Sequence, residues 1–205
     1  MSTWAIVVAG GSGERFGERK QYLALGGARV LDWALRSAAA GADGVVVVVP
    51  ADRAGEPEPP ASVVVAGGPT RSASVRAGLA AVPDEAVVIL VHDAARPVPV
   101  PDVWQRVVDA IDAGADAAVP AVPVGDTLRD LAGGTVDRSR IVAVQTPQAF
   151  RADALRRAHT GDPEGTDDAS LVEAAGGRVV VVDGDPANIK ITTPVDLRLA
   201  ELLCR

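Results

Sequence analysis

Residues 4–27 read WAIVVAGGSGERFGERKQYLALGG. Trp4–Ala9 is a β-branched apolar run of strand length that breaks at once into Gly10, Gly11 and Gly13. Glycines at a strand end let the chain turn tightly and bring backbone N–H groups against an anion. Arg15 and Lys20, on the same loop, add two positive charges for a polyphosphate. Two familiar phosphate loops are excluded. A P-loop ends in Gly-Lys-Ser/Thr, whereas Gly17 is followed by Glu18. A dinucleotide fingerprint needs G-x-G-x-x-G opening a helix and an acid closing the second strand. Here the spacing is wrong, the loop runs on to about Gly27, strand two ends at Pro50, and Asp32 falls on a helix. The plainer alternative is a surface loop with ordinary solvated cations.

Outward from this stretch, strands alternate with helices. Leu31–Ala40 reads as a helix, Val45–Val49 as a buried strand, and residues 52–60 (DRAGEPEPP) as a solvated loop. Val63–Val65 is a short strand, Thr70–Ala81 a helix, and Val87–Val91 a strand ending at HDAARP. A helix covers about Asp102–Ala113, with Val103, Val107, Val108 and Ile111 on one face. The pattern predicts an α/β fold: a mostly parallel twisted sheet with helices on both faces. Residues 120–150 break the rhythm. Two strand-like pieces flank Leu131–Gly134, which predicts a β-hairpin arm at about 122–145. Helices near Asp153–Ala158 and Thr166–Ala175 follow, then strands at Arg178–Val182 and Asn188–Thr192. The last helix opens with Thr193 as N-cap, Pro194 at N1 and Asp196 at N3. No repeat or linker interrupts the chain, so one domain over residues 1–205 is expected.

The chain has 205 residues and a net charge of −7, which disfavours nucleic acid or an anionic membrane as partner. Any phosphate must be held by local cations and N–H groups against the overall field. One cysteine, Cys204, fits a reducing cytoplasmic setting, and one Cys with two distant histidines, His92 and His159, makes no zinc cluster. The N-terminus lacks the pattern of a signal peptide, and no apolar run approaches the ~20 residues of a membrane span. A core of Ala and Val, with only six aromatics, predicts thin helices packed closely on β-branched strands.

In a doubly wound sheet, Asp93 of HDAARP points to where ligands sit. A carboxylate facing phosphates suits an intervening Mg²⁺; a salt bridge with Arg96 or a helix cap is the alternative. His92 has no readable partner and is taken as structural. Of 20 basic residues only Lys20 and Lys190 are lysines, one in the glycine loop and one in NIKIT (188–192). Further short motifs are GGPTRSAS (67–74), TVDR (135–138), TPQ (146–148) and TDDAS (166–170), the last also a helix-capping signature.

In this order, over essentially the whole chain, these motifs resemble those of the 2-C-methyl-D-erythritol 4-phosphate cytidylyltransferases of non-mevalonate isoprenoid synthesis. The resemblance implies a Rossmann-like nucleotidyltransferase fold whose β-arm exchanges contacts across a homodimer. It assigns Ala9, Gly10, Gly11, Ser12 and Gly13 to the phosphate cradle, and Arg15 and Lys20 to triphosphate binding and charge stabilisation. Gly68, Arg71 and Ser74 match the cytosine and ribose pocket. Asp93, Thr146, Thr166, Asp167 and Lys190 match the sugar-phosphate site, with Asp93 the metal ligand. Thr127 and Arg138 match arm residues reaching the partner's site, and Arg138 and Lys190 would position the nucleophile. The implied partners are CTP, a small polyol phosphate and Mg²⁺. Three positions depart from the family pattern: Arg19, where Pro is common, and Pro69 and Ala187, where acids are common (Asp185 is close to the last). A ribitol 5-phosphate cytidylyltransferase, a non-catalytic nucleotide-binding module and a nicotinamide oxidoreductase are the alternatives. The loop spacing disfavours the last.

Overall fold

The first strand, β1 (Thr3–Val8), divides its side chains between two cores, Ala5 and Val7 entering one and Ile6 and Val8 the other. The computed structural model describes residues 1–11 and 16–204. After β1 come a 3-10 turn at Lys20–Tyr22 and a small antiparallel ribbon of β2 (Ala24–Leu25) and β3 (Ala28–Arg29). Then follow α1 (Val30–Gly41), β4 (Gly44–Val49), β5 (Val63–Ala66), α2 (Arg71–Leu79), β6 (Val88–Asp93) and α3 (Pro101–Asp112). The second half contains β7 (Ala117–Pro123), β8 (Val142–Val144), β9 (Gln148–Arg151), α4 (Ala152–Ala158), α5 (Asp168–Ala174), β10 (Val179–Asp183) and α6 (Pro194–Leu203).

The main sheet runs β10-β7-β9-β6-β1-β4-β5, with β8 paired to β7. Pairings among β6, β1, β4 and β5, and between β10 and β7, are parallel; β9 and β8 are antiparallel insertions. Helices α1 and α3 cover one face, and α2, α4 and α5 the other. From β1 the chain builds outward to β4 and β5, then returns to place β6 on the other side of β1. That reversal opens a crevice at the carboxyl ends of β1 and β6. The close packing expected from the Ala/Val composition is visible at Gly78 in α2, where a Cβ would stand 2.6 Å from Ile6 Cγ2.

Three local readings are corrected. The glycine loop does not continue to Gly27: the 3-10 turn and the β2–β3 ribbon occupy its end. Residues 188–192 are not a strand. Their polar groups tie sheet to loops instead, with Ile191 N–H bonding Ala95 O and Asn188 buried against Thr146. The α5 helix begins at Asp168 with Asp167 as its cap, not at Thr166. In the arm, β7 and β8 form the antiparallel base, and beyond it a single bridge, Arg129 to Thr135, closes a turn at residues 130–134. Gly133 (φ 123°) and Gly134 (φ 89°) supply the positive φ this turn requires.

At the start of α6, Asp196 Oδ2 accepts from both the backbone N–H and the hydroxyl of Thr192 and of Thr193. These hydrogen bonds, the Thr192 hydroxyl foremost, hold its pKa at about 2. Because the folded pKa lies below the ordinary value, the stabilisation is complete above pH ~4 and fades as pH falls through the folded pKa. Asp196→Ala should therefore cost about 1 kcal/mol at pH 7. In urea unfolding, the gap to wild type should narrow between pH 4 and pH 2.

Candidate active site

The crevice at the carboxyl ends of β1 and β6 is a cleft of about 740 Å³ lined by Ala9, Gly10, Gly11, Lys20, Gly68, Arg71, Ser74, Asp93 and Lys190, among others. Asp93 ends β6, and its carboxylate lies between two cations. Lys190 Nζ donates to Oδ2 at 2.6 Å, and Arg71 Nε stands 3.6 Å from Oδ1. Burial works to raise the Asp93 pKa, but Lys190 and Arg71 outweigh it and hold the group at about 2. Asp93 is thus an anion at neutral pH. Arg96 does not pair with it; Nη1 of Arg96 donates to Asn188 O at 2.6 Å.

Lys190 reaches the site because its segment is anchored one turn earlier. Asn188 is fully buried and donates to Thr146 O at 2.9 Å, while Gln145 Nε2 donates to Asp185 O at 2.8 Å. The Thr146 hydroxyl accepts from the Asp93 backbone N–H at 3.0 Å and lies 3.2 Å from His92 Nδ1. His92, with Nε2 3.0 Å from Arg96 O, is buried, and burial lowers its pKa to about 4, so it is neutral at pH 7. It stiffens the turn after β6, as a structural residue would.

The residues expected to form a base pocket, Gly68, Arg71 and Ser74, sit at or near the N-terminus of α2. Thr70 caps the helix, its Oγ1 accepting from Ala73 N–H at 3.0 Å. Ser74 Oγ donates to Thr70 O at 2.9 Å and accepts from Gly68 N–H at 3.2 Å. A Cβ at Gly68 would lie 2.5 Å from Ala73 Cβ, so only glycine fits there. Arg71 Nη1 donates to Asp168 Oδ2 at 2.8 Å, and Asp168 Oδ1 lies 3.0 Å from His159 Nε2. Asp168 is wholly buried. Sequence reasoning absorbed Asp168 and His159 into capping and background; the only signal was an extra acid beyond the cap.

Other assignments fall differently. Ser12, Gly13 and Arg15 lie outside the described residues. Thr146, Thr166 and Asp167 do not line the cleft. The Thr146 hydroxyl is engaged with Asp93, Thr166 is exposed, and Asp167 spends its oxygens on Ser170 N–H and Gln148 Nε2, each at 2.9 Å. Thr127 and Arg138 are exposed on the arm, where Arg138 Nη1 donates to Gly125 O, and neither lines the cleft. Of the departures, Arg19 forms an exposed ion pair with Asp52 at 2.7 Å.

Among the described residues no three His, Cys, Asp or Glu side chains converge on a metal position, and Asp93 is the one acid lining the cleft. A lone ionised carboxylate suits a Mg²⁺ shared with phosphate oxygens and water, not a protein cage. A second cleft of about 410 Å³, between α1 and α3, is walled by Trp33, Trp104 and Pro99 and has Arg36 as its only charged residue. The chemistry therefore belongs to the larger cleft.

Asp168 generates a stability test. Asp168→Ala takes the buried partner from His159 and leaves Arg71 with Asp93 alone, and should cost about 3–5 kcal/mol. Asp168→Asn, which keeps the shape and an acceptor, should cost clearly less. Urea unfolding of both variants checks the order.

The sequence matches the family model described as IspD: 2-C-methyl-D-erythritol 4-phosphate cytidylyltransferase over residues 3–205. It is 49% identical to the 2-C-methyl-D-erythritol 4-phosphate cytidylyltransferase of Nocardia farcinica, across 98% of this chain and 94% of that one. Identity to the Streptomyces coelicolor enzyme of the same name is 46%, across 97% and 83% of the two chains. The crystal structure of the Thermus thermophilus enzyme of that name superposes with a TM-score of 0.83 at 38% identity, covering 100% of both chains. With the sheet order, the crevice at its switch point and the motifs around it in accord, the chain belongs to the 2-C-methyl-D-erythritol 4-phosphate cytidylyltransferase family.

Proposed function

We propose that this chain transfers CMP from CTP to 2-C-methyl-D-erythritol 4-phosphate, releasing pyrophosphate. The observation that carries the reading is the convergence of Lys20, Arg71, Asp93 and Lys190 on one cleft beside the glycine turn. The triphosphate lies on the turn that begins Ala9–Gly11, and the base and ribose lie against Gly68, Arg71 and Ser74. A phosphate oxygen of the sugar phosphate attacks the α-phosphorus in line. The new P–O bond forms as the bond to the β-phosphate oxygen breaks, and pyrophosphate carries away the electron pair.

Such transfer needs positioning and charge neutralisation more than covalent catalysis. Lys20, with Arg15, offsets charge developing on the transferred group. Lys190 and Arg138 of the partner subunit hold the attacking phosphate. Its second pKa is about 6, so the nucleophile is largely ionised at pH 7 without a strong general base. This accounts for a site without an acid–base pair. Asp93 would hold Mg²⁺, which when bound supplies further charge neutralisation across the phosphates. Arg71, already facing two carboxylates, acts as an oriented hydrogen-bond donor more than as a spare positive charge.

The assay is pyrophosphate release from CTP with Mg²⁺ and 2-C-methyl-D-erythritol 4-phosphate, with ribitol 5-phosphate as control. Turnover with the branched tetritol phosphate alone is expected. Lys20→Ala should cut kcat by ~10²–10³, as for loss of one transition-state donor; near-wild-type turnover would remove Lys20 from its role.

The homodimer reading is supported by the arm, where Leu131, Ile141, Val142 and Val144 are exposed and little core exists to hold it. A cytoplasmic setting suits the single, buried Cys204. If each site combines Lys190 with the partner's Arg138, mixing inactive Lys190→Ala and Arg138→Ala subunits should restore about a quarter of wild-type activity. No recovery after subunit exchange, or a fully active monomer in sedimentation, would defeat the shared-site reading.

A further inference from the structure

Gln21 follows Lys20 in the 3-10 turn, yet it is only 5% exposed. Its side-chain nitrogen donates to two carbonyl oxygens of the glycine turn, Ala9 O at 2.8 Å and Gly11 O at 3.0 Å. A primary amide has two N–H donors, so both are spent on the turn. In a planar trans peptide the C=O and the following N–H point in opposite directions. Holding the Ala9 carbonyl toward Gln21 therefore turns the Gly10 N–H to the opposite side of that peptide. It also engages two carbonyl oxygens that would otherwise repel an approaching phosphate.

The far side of the 3-10 turn is fixed independently of the glycine turn. Arg19 pairs with Asp52, and the Tyr22 ring lies 4.7 Å from the Arg53 guanidinium. Gln21 thus joins the backbone at Ala9 and Gly11 to the segment bearing Lys20. A glutamine that only satisfied buried carbonyls would add to stability and leave substrate affinity alone.

We propose that Gln21 is a positioning residue that locks the glycine turn and Lys20 together, so that backbone donors and ammonium meet a nucleoside triphosphate as one preset unit. The inference rests on the cytidylyltransferase reading above. Gln21→Met keeps the length and removes both donors; Gln21→Glu keeps the shape and sets acceptor oxygens against carbonyl oxygens. For the Met variant, the Kd and KM for CTP should rise about tenfold, roughly one neutral hydrogen bond. Its kcat should also fall, while the KM for the sugar phosphate stays at the wild-type value. Gln21→Glu should be the worse of the two.

Wild-type CTP affinity and kcat in Gln21→Met would overturn the proposal, as would a fall in kcat with both KM values unchanged. Wild-type enzyme that binds no CTP would overturn the cytidylyltransferase reading and this inference with it. Should Gln21→Met fail to fold, the wild-type protein still decides by NMR. The Gln21 side-chain amide protons should exchange slowly and shift on CTP addition, and saturation with CTP that leaves them unmoved would overturn the proposal.

Discussion

A carboxylate at the mouth of a phosphate-binding cleft is repelled by its own ligand unless cations surround it, and Asp93 is placed accordingly. Two unit charges 4 Å apart near a protein surface interact by about 4 kcal/mol, enough to hold the group ionised against burial. The three segments that meet there come from distant parts of the chain. Strand β6 brings Asp93, α2 brings Arg71, and the coil after β10 brings Lys190. Each has its own anchor behind the site: Thr146 on the Asp93 backbone, Asp168 on Arg71, and Asn188 before Lys190. The cleft is therefore organised around one negative charge, although its expected ligands are anions.

That arrangement sorts the basic residues by task. Arg71 faces Asp93 and Asp168 at once, so its planar fork is oriented while its charge is largely offset. It suits the uncharged edges of a base or ribose. Both lysines line the cleft, one preceding Gln21 in the 3-10 turn and the other on Asp93. A compact ammonium holds phosphate as a point charge without demanding a planar partner. In a protein of net charge −7, this local grouping of cations sets the cleft apart from the overall field.

Much of the fold was legible because burial on both faces leaves a strong mark. The apolar runs Trp4–Ala9 and Val45–Val49 predicted strands, and Thr193, Pro194 and Asp196 marked the last helix start. The glycine turn, the two lysines and Asp93 were legible as a site because glycine, rare lysine and a strand-end acid each carry a local signal. Asn188–Thr192 misled because its alternating apolar letters serve anchoring, not a ladder. Asp168 and Gln21 were illegible for a related reason. A single polar letter does not reveal its burial, and their partners lie 97 and about 10 residues away. The roles of Thr127 and Arg138 came only from resemblance, since an exposed arm carries no mark of what it will touch.

The scarcity of lysine has a practical corollary. Every side-chain amine of the chain stands in the cleft, while the remaining basic residues are guanidiniums inert to acylation. Apart from the amino terminus, an amine-directed label consequently falls on the site and not across the surface, and protection of those two amines reads occupancy directly. The same chemistry makes random lysine immobilisation or cross-linking a poor choice for this molecule, because both attachment points line the cleft.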